Sequence, residues 1–391
     1  MDFALSPAQV ALQTELRGYF PTLATKAELD DMWKEPRRGP LHRRIVSQLG
    51  KDGWLGLNWP VDYGGKGLSA AEQWIFLCEA KLARIPLPLL SLYTVGPTLI
   101  RHGTAEQKAR FLPPILAGEI EFAVGYTEPG AGTDLAALTT RAVRDGDEYV
   151  VNGSKIFTSG GDVADFVWLA TRTDPDAPKH KGITLLIVDT EQPGFSWTPI
   201  VTVSGVTATI TYYTDVRVPV ADRVGDENDG WRYITAQLNH ERLLLASDGA
   251  IASRLYDEVA NWAAATPART GAPVISLPWV RENLARCAAI LKAVDLINTR
   301  MAVSLDAGTF TAADASTSKV FGTEAVIEVI GLLSDIVARS GFRRGATEAD
   351  RLRAQLERQH HLAVVNTFGG GTNEVQREIV ARVGLGLPRV R

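Results

Sequence analysis

Tyr126-Thr127-Glu128-Pro129-Gly130-Ala131-Gly132-Thr133-Asp134 is the stretch on which the architecture turns. It follows a short apolar run at 122–124 that reads as a strand. Proline and two glycines end that strand, and glycines beside hydroxyls let backbone N–H groups approach a polar-edged or anionic ligand closely. As a GxGxxG dinucleotide fingerprint the stretch fails, because Leu135 stands at the third glycine and no βαβ unit follows. A turn-rich connection that binds nothing would use the same residues.

Working outward from this loop, residues 122–226 read as strand. The runs at 149–151, 166–170 and 183–188 are β-branched and aromatic, and turn signals at 144–147 and 192–194 divide them. The segment 194–214 carries no charge and is dense in Thr and Val, which suits a half-buried sheet. On the N-terminal side the pattern is helical. Ser6-Pro7-Ala8-Gln9 is a capping box with proline at the first helical position, and Leu12, Leu16 and Tyr19 follow as an apolar stripe. Further helices are expected from Ser69 and from Thr104, after a glycine turn at 62–67. On the C-terminal side an amphipathic block follows Asp229-Gly230, then a Pro/Thr/Gly-rich loop at 266–278, helices at 278–305 and 312–340, and a last helix near Thr372. The expected fold is α+β: an N-terminal all-α domain (1–121), a central β-sandwich or barrel domain (122–228) and a C-terminal helical domain (229–391).

The 391 residues are 45% hydrophobic and 22% charged, which is globular composition. Forty-one Lys and Arg against 45 Asp and Glu set a net charge of -4, so no basic surface for nucleic acid is expected. Cys78 and Cys287 are too few for a disulfide framework and have no metal-site spacing, which fits a reducing cytoplasm. No basic segment precedes an apolar run at the N-terminus, and the best uncharged apolar run, from residue 85 to 99 or 100, is broken by three prolines. A cytoplasmic protein is expected. His360-His361 lacks an HExxH partner, so no metal is expected, and no GxSxG nucleophile motif occurs.

Three other segments carry candidate chemistry. Asn152-Gly153-Ser154-Lys155-Ile156-Phe157-Thr158-Ser159-Gly160 places an aromatic before two hydroxyls, able to cover and hydrogen-bond a flat heterocycle; a plain hairpin turn is the alternative. Ile234, Leu238, Glu241 and Leu245 fall at i, i+4, i+7 and i+11, which sets a carboxylate on the apolar stripe of a helix. Burial raises a carboxyl pKa toward neutrality, where a general base works best. Glu241 paired with a neighbour such as Arg242 at the stripe edge is the alternative. Finally, Phe368-Gly369-Gly370-Gly371-Thr372 opens a helix, a position suited to a carbonyl or phosphate oxygen or to a flexible connection.

Together these segments resemble the acyl-CoA dehydrogenase family over nearly the whole chain. Residues 126–134 are similar to its TEPGAG(S/T)D flavin loop and residues 155–159 to its second flavin segment. Trp54-Leu55-Gly56-Leu57 with Tyr63-Gly64-Gly65, and Gly96-Pro97-Thr98-Leu99, resemble its N-terminal helical domain; Val216-Arg217-Val218-Pro219 and Gly230-Trp231 resemble its exit from the β-domain. The resemblance implies a C-terminal four-helix bundle and FAD as cofactor. It further implies that Tyr126 and Thr127 contact the isoalloxazine, that Phe157 and Thr158 flank the ring with Ser159 near N5, that Thr133 meets the CoA portion, and that Thr372 meets FAD. Many members carry their base immediately before a Gly-Thr pair in the C-terminal loop; here that position is Gly370. A minority carry it in a Leu-Asp-x-Glu-Arg pattern, with which Leu238-Asn239-His240-Glu241-Arg242 aligns, so Glu241 is the implied base. Gly370 and Arg242 are then implied on the substrate side, with the Gly370 N–H and a ribityl hydroxyl meeting the thioester oxygen.

The Arg-x-x-Phe-Gly and Gln-x-x-Gly-Gly patterns with which typical members grip a neighbour's FAD are missing near 267–278 and 328–340. A second acyl-CoA dehydrogenase-like subunit is therefore expected to complete the FAD site. With Lys179-His180-Lys181-Gly182, the 205–213 segment and the Leu387-Pro388-Arg389-Val390 tail, this is similar to the catalytic subunit of heteromeric (α2β2) bacterial steroid side-chain acyl-CoA dehydrogenases. That resemblance implies a 3-oxo-pregnene-20-carboxyl-CoA substrate and electron-transferring flavoprotein as acceptor. A branched-chain acyl-CoA dehydrogenase, a flavin monooxygenase on the same fold and a non-catalytic FAD-binding subunit are the competing expectations.

Overall fold

The computed structural model describes residues 4–32, 35, 38–237, 247–340 and 347–388. Helices, sheet and helices follow one another along the chain as expected. By contacts the chain divides into two units, one of residues 1–20, 69–85 and 242–391, the other of residues 21–68 and 86–241.

In the second unit α2 (Lys26–Asp31), α3 (Pro40–Lys51), α5 (Gly96–His102) and α6 (Ala105–Leu116) precede and accompany the strands. The strands are β1 (Phe122–Gly125), β2 (Arg141–Asp145), β3 (Glu148–Ser159), β4 (Phe166–Arg172), β5 (Ile183–Asp189), β6 (Phe195–Val201), β7 (Thr207–Pro219) and β8 (Arg223–Val224). They form one sheet in the order β6-β7-β3-β2-β4-β5-β8, with β1 parallel to β4. The β-branched and aromatic runs at 166–170 and 183–188 become β4 and β5, buried along nearly their whole length. The uncharged 194–214 segment splits in two: β7 alternates between buried and exposed positions, whereas β6 is an edge strand and largely exposed. Tyr149, Val151, Val167, Leu169, Leu186, Val188, Tyr213 and Val216 make the sheet's core. Two register shifts interrupt the β3–β7 ladder, between Val151 and Gly153 and between Lys155 and Thr158. The second lies inside the flavin-like segment. Residues 230–237 are helical (α7).

The other unit gathers helices from both ends of the sequence. The Ser6 capping box forms as expected: the Ser6 N–H donates to Gln9 Oε1 at 2.9 Å and the Gln9 N–H to Ser6 Oγ at 3.3 Å. It opens α1 (Pro7–Leu23), whose Arg17 and Gln13 side chains reach the buried Glu79 carboxylate on α4 (Ala70–Leu82) at 2.8 Å. Lys81 of α4 pairs with Asp248 at the start of α8 (Asp248–Ala265). α9 (Pro278–Asp306) and α10 (Ala312–Ser340) match the expected blocks. Between them and the last helix, α12 (Asn373–Ile379), lies α11 (Glu348–Val365), which the apolar pattern did not reveal. α8 to α11 share one core built on Leu255, Val259, Leu284, Leu291, Ile330, Leu333, Leu352 and Leu356, the expected four-helix arrangement. Among the described residues no helix is long and apolar enough to cross a membrane.

Candidate active site

The sharpest loop is held by a buried ion pair. β1 ends at Gly125; a two-way bridge between Glu128 and Ala131, each N–H···O 3.1 Å, then closes the turn around Pro129 and Gly130. The Glu128 carboxylate turns inward and accepts the Thr139 and Thr140 N–H groups at 2.7 and 2.8 Å and the Lys155 ammonium at 2.7 Å. Lys155 is wholly buried and also donates to the Tyr126 carbonyl at 3.1 Å, and the Ile156 N–H donates to Thr127 O at 2.8 Å. The two flavin-like segments are thus joined at their bases. Burial alone would raise the Glu128 carboxyl, but the Lys155 charge and the Thr140 hydrogen bonds outweigh it and hold it at about 2. Buried Arg172 secures the far end of the loop, donating to Ala136 O at 2.6 Å and to Lys181 O at 2.9 Å. Neither the pair nor Arg172 was singled out from the sequence. The signal was present for the pair: one motif carries an acid and the other a lysine.

Above this base the predicted residues separate by face. Tyr126 is buried; its hydroxyl donates to Gln237 Oε1 and accepts from Trp168 Nε1 at 3.2 Å. Gln237 Nε2 in turn donates to Thr98 Oγ1 at 2.8 Å. Thr127 is half-buried and Thr133 exposed. At the bulge Phe157 adopts φ 59°, a left-handed conformation that costs a non-glycine residue energy, and the residue is 60% exposed. Ser159 is exposed as well. Thr158 lies on the opposite face, 1% exposed, beside Thr211 Oγ1 at 3.3 Å, and its carbonyl accepts from Thr209 Oγ1 at 2.8 Å. Thr158, expected to flank a ring with Phe157, has its side chain turned into the sheet in this structure. The pleat buries its hydroxyl in the sheet and leaves Phe157 and Ser159 as the accessible pair.

The glycine loop belongs to the other unit. The Gly369 N–H donates to Val365 O and the Asn373 N–H to Thr367 O, both at 2.8 Å. Gly370 and Gly371 turn the chain at φ 67° and 95°, and the Gly370 N–H has no backbone acceptor among the described residues. Thr372 is the N-cap of α12, its hydroxyl accepting from the Val375 N–H at 3.3 Å. Glu241 and Arg242 lie outside the described residues. Among the described residues no group of His, Cys, Asp and Glu could hold a metal ion.

In one unit an exposed aromatic side chain suits a flat heterocycle; in the other, a glycine turn whose Gly370 N–H has no acceptor among the described residues suits a carbonyl oxygen. Comparison with known proteins gives both features a context. Residues 6–119, 123–217 and 228–385 match the models for the acyl-CoA dehydrogenase N-terminal, middle and C-terminal domains. The chain is 50% identical over 391 residues to acyl-CoA dehydrogenase FadE29 of Mycobacterium tuberculosis (strain ATCC 25618 / H37Rv), covering 100% of both proteins. It is 49% identical over 399 residues to FadE26 of the same strain, covering 100% of this chain and 99% of that protein. A solved structure described as the Tcur3481-Tcur3483 steroid ACAD superposes with a TM-score of 0.93 at 49% identity, covering 100% of both chains. The ChsE4-ChsE5 complex from Mycobacterium tuberculosis does so at 0.92 and 48%, again over 100% of both chains.

Proposed function

The chain belongs to the acyl-CoA dehydrogenase family, and from that premise we propose that it is the catalytic subunit of a heteromeric FAD-dependent dehydrogenase acting on a steroid side-chain CoA thioester of the 3-oxo-pregnene-20-carboxyl type. The observation that carries the reading is the Phe157 platform, an exposed ring in a strained conformation above the Glu128–Lys155 base, where a flavin ring would stack. Tyr126, Thr127, Phe157 and Ser159 would hold the isoalloxazine, with Thr133 and Thr372 toward the CoA and FAD tails. FAD, when bound, supplies a two-electron acceptor for the hydride leaving the β-carbon.

The chain's own residues supply the rest. An α-C–H is acidic only while the thioester carbonyl takes up the charge, so a fixed donor must meet that oxygen. The Gly370 N–H is that donor. Glu241 takes the α-proton, and Arg242 lies beside it in sequence on the substrate side. A side chain at 370 would occupy the space that a branched α-carbon needs. Loss of the α-proton to the carboxylate and of the β-hydride, which bound FAD would accept, would leave the α,β-enoyl thioester. The steroid class rests on the similar solved structure described as a steroid ACAD, and the heteromer on that structure and on the similar two-protein complex.

The test is anaerobic flavin reduction by a panel of CoA thioesters, using the complex co-expressed with a second acyl-CoA dehydrogenase-like chain. Glu241→Gln should retain flavin and lose reduction by at least about 10²-fold. Retained activity in Glu241→Gln, or reduction by no thioester, overturns the reading.

A further inference from the structure

We propose that Lys319 is a positioning residue for the thioester-binding turn, acting through the carbonyls of the 367–373 loop; this rests on the function proposed above for Gly370.

Lys319 lies about two turns into α10 and is wholly buried. Its ammonium donates to Thr367 O at 3.1 Å, to Gly371 O at 2.7 Å and to Asn373 Oδ1 at 2.7 Å. Three acceptors thus meet the three N–H donors of an ammonium, and all three belong to one short loop. The first acceptor precedes the two left-handed glycines and the other two follow Gly370, so the cation pins the turn on both sides of its free N–H. Lys319 is not alone. Ser316, Lys319 and Thr323, at i, i+3 and i+7, make a buried polar stripe on α10. Ser316 Oγ donates to Gln376 Oε1 at 2.8 Å, and Asn373 Nδ2 donates to Thr323 Oγ1 at 3.1 Å and to Glu324 Oε1 at 3.1 Å.

Burying a lysine in a bundle core is costly, and a methionine there would serve packing better. What the lysine provides is orientation. The turn has no side chain at 369, 370 or 371 with which to fix itself, and glycines are the residues least able to hold one conformation unaided. A donor aimed at a developing oxyanion must be held within a fraction of an ångström, since a misplacement of about 1 Å costs on the order of 10²-fold in rate. In this chain the support comes from α10 rather than from the loop itself.

The experiment uses the FAD-loaded complex. In the wild type, the carbonyl stretch of the bound enoyl-CoA product, read by Raman difference spectroscopy, should lie below its solution value. Lys319→Met should slow flavin reduction at saturating thioester by about 10- to 100-fold, change KM less, and return the carbonyl stretch toward the solution value. Asn373→Ala removes one of the three acceptors and should move both readouts the same way by less; it carries the test if Lys319→Met does not fold. A merely structural lysine would lower the melting temperature and leave the carbonyl frequency alone. Wild-type rate and carbonyl stretch in either variant, or an unshifted stretch in the wild type, overturns the proposal. If Glu241→Gln abolishes reduction while Lys319→Met does not slow it, this inference alone fails. If no thioester reduces the wild type, both fail.

Discussion

Lys155 and Glu128 meet inside the sheet at 2.7 Å, and neither has solvent to fall back on. Lys155→Met should therefore cost about 3–5 kcal/mol, because it strands a buried carboxylate. The double variant Glu128→Gln/Lys155→Met should recover most of that loss, and urea unfolding of the complex checks both. The same pair sets an acid limb. Glu128 is held at about 2, below its ordinary 4.5, so its contribution is complete above pH 4.5 and drains away as the pH falls toward 2. A pH series of urea midpoints should show this slope in the wild type and not in the double variant. Phe157, Thr158 and Ser159 give a second contrast. Thr158→Val should alter stability and spare the flavin spectrum, whereas Phe157→Ala should shift the absorption band and weaken retention of FAD. The sequence pattern named all three residues. It could not say which faced outward, because the bulge that turns Phe157 to φ 59° breaks the strand alternation on which a pattern depends.

Glycine decides how closely two elements approach. Gly96 starts α5, and a Cβ there would stand 1.9 Å from Cζ2 of Trp59, which is 2% exposed and donates to Leu92 O at 3.0 Å. Gly96→Ala should cost about 1–3 kcal/mol by overpacking, measurable as a lower urea midpoint with an unchanged m-value. The helices legible in the sequence were those with capping boxes and broad apolar stripes, such as α1 and α10. α11 has the box, with Thr347 capping Asp350 and the Asp350 side chain returning to the Thr347 N–H, yet it escaped notice. Only Leu352, Leu356 and Ala363 of its eighteen residues are fully buried, so the stripe is too narrow to stand out by period. Thr347→Ala should cost about 1 kcal/mol through the lost cap, a change that circular-dichroism melting detects.

At the level of the whole chain, the missing FAD-gripping patterns are the feature that reaches furthest. The chain purified alone should carry well under one FAD, and co-expression with a second acyl-CoA dehydrogenase-like chain should raise the flavin content; full occupancy on the lone chain would remove the need for a partner. The order of helix, sheet and helix, the glycine loops and the family were all readable from residues near one another in sequence, because turn chemistry, strand period and capping act over a few positions. Pairings across the sequence were not. Arg17 finds Glu79, Lys81 finds Asp248, Lys155 finds Glu128 and Lys319 finds the loop at 367–373 across separations of 27 to 167 residues. One chain read alone carries no record of which distant charge meets which. The burial that makes those meetings obligatory exists only once the helices and strands have packed, since an ion left alone in a core is too costly to keep.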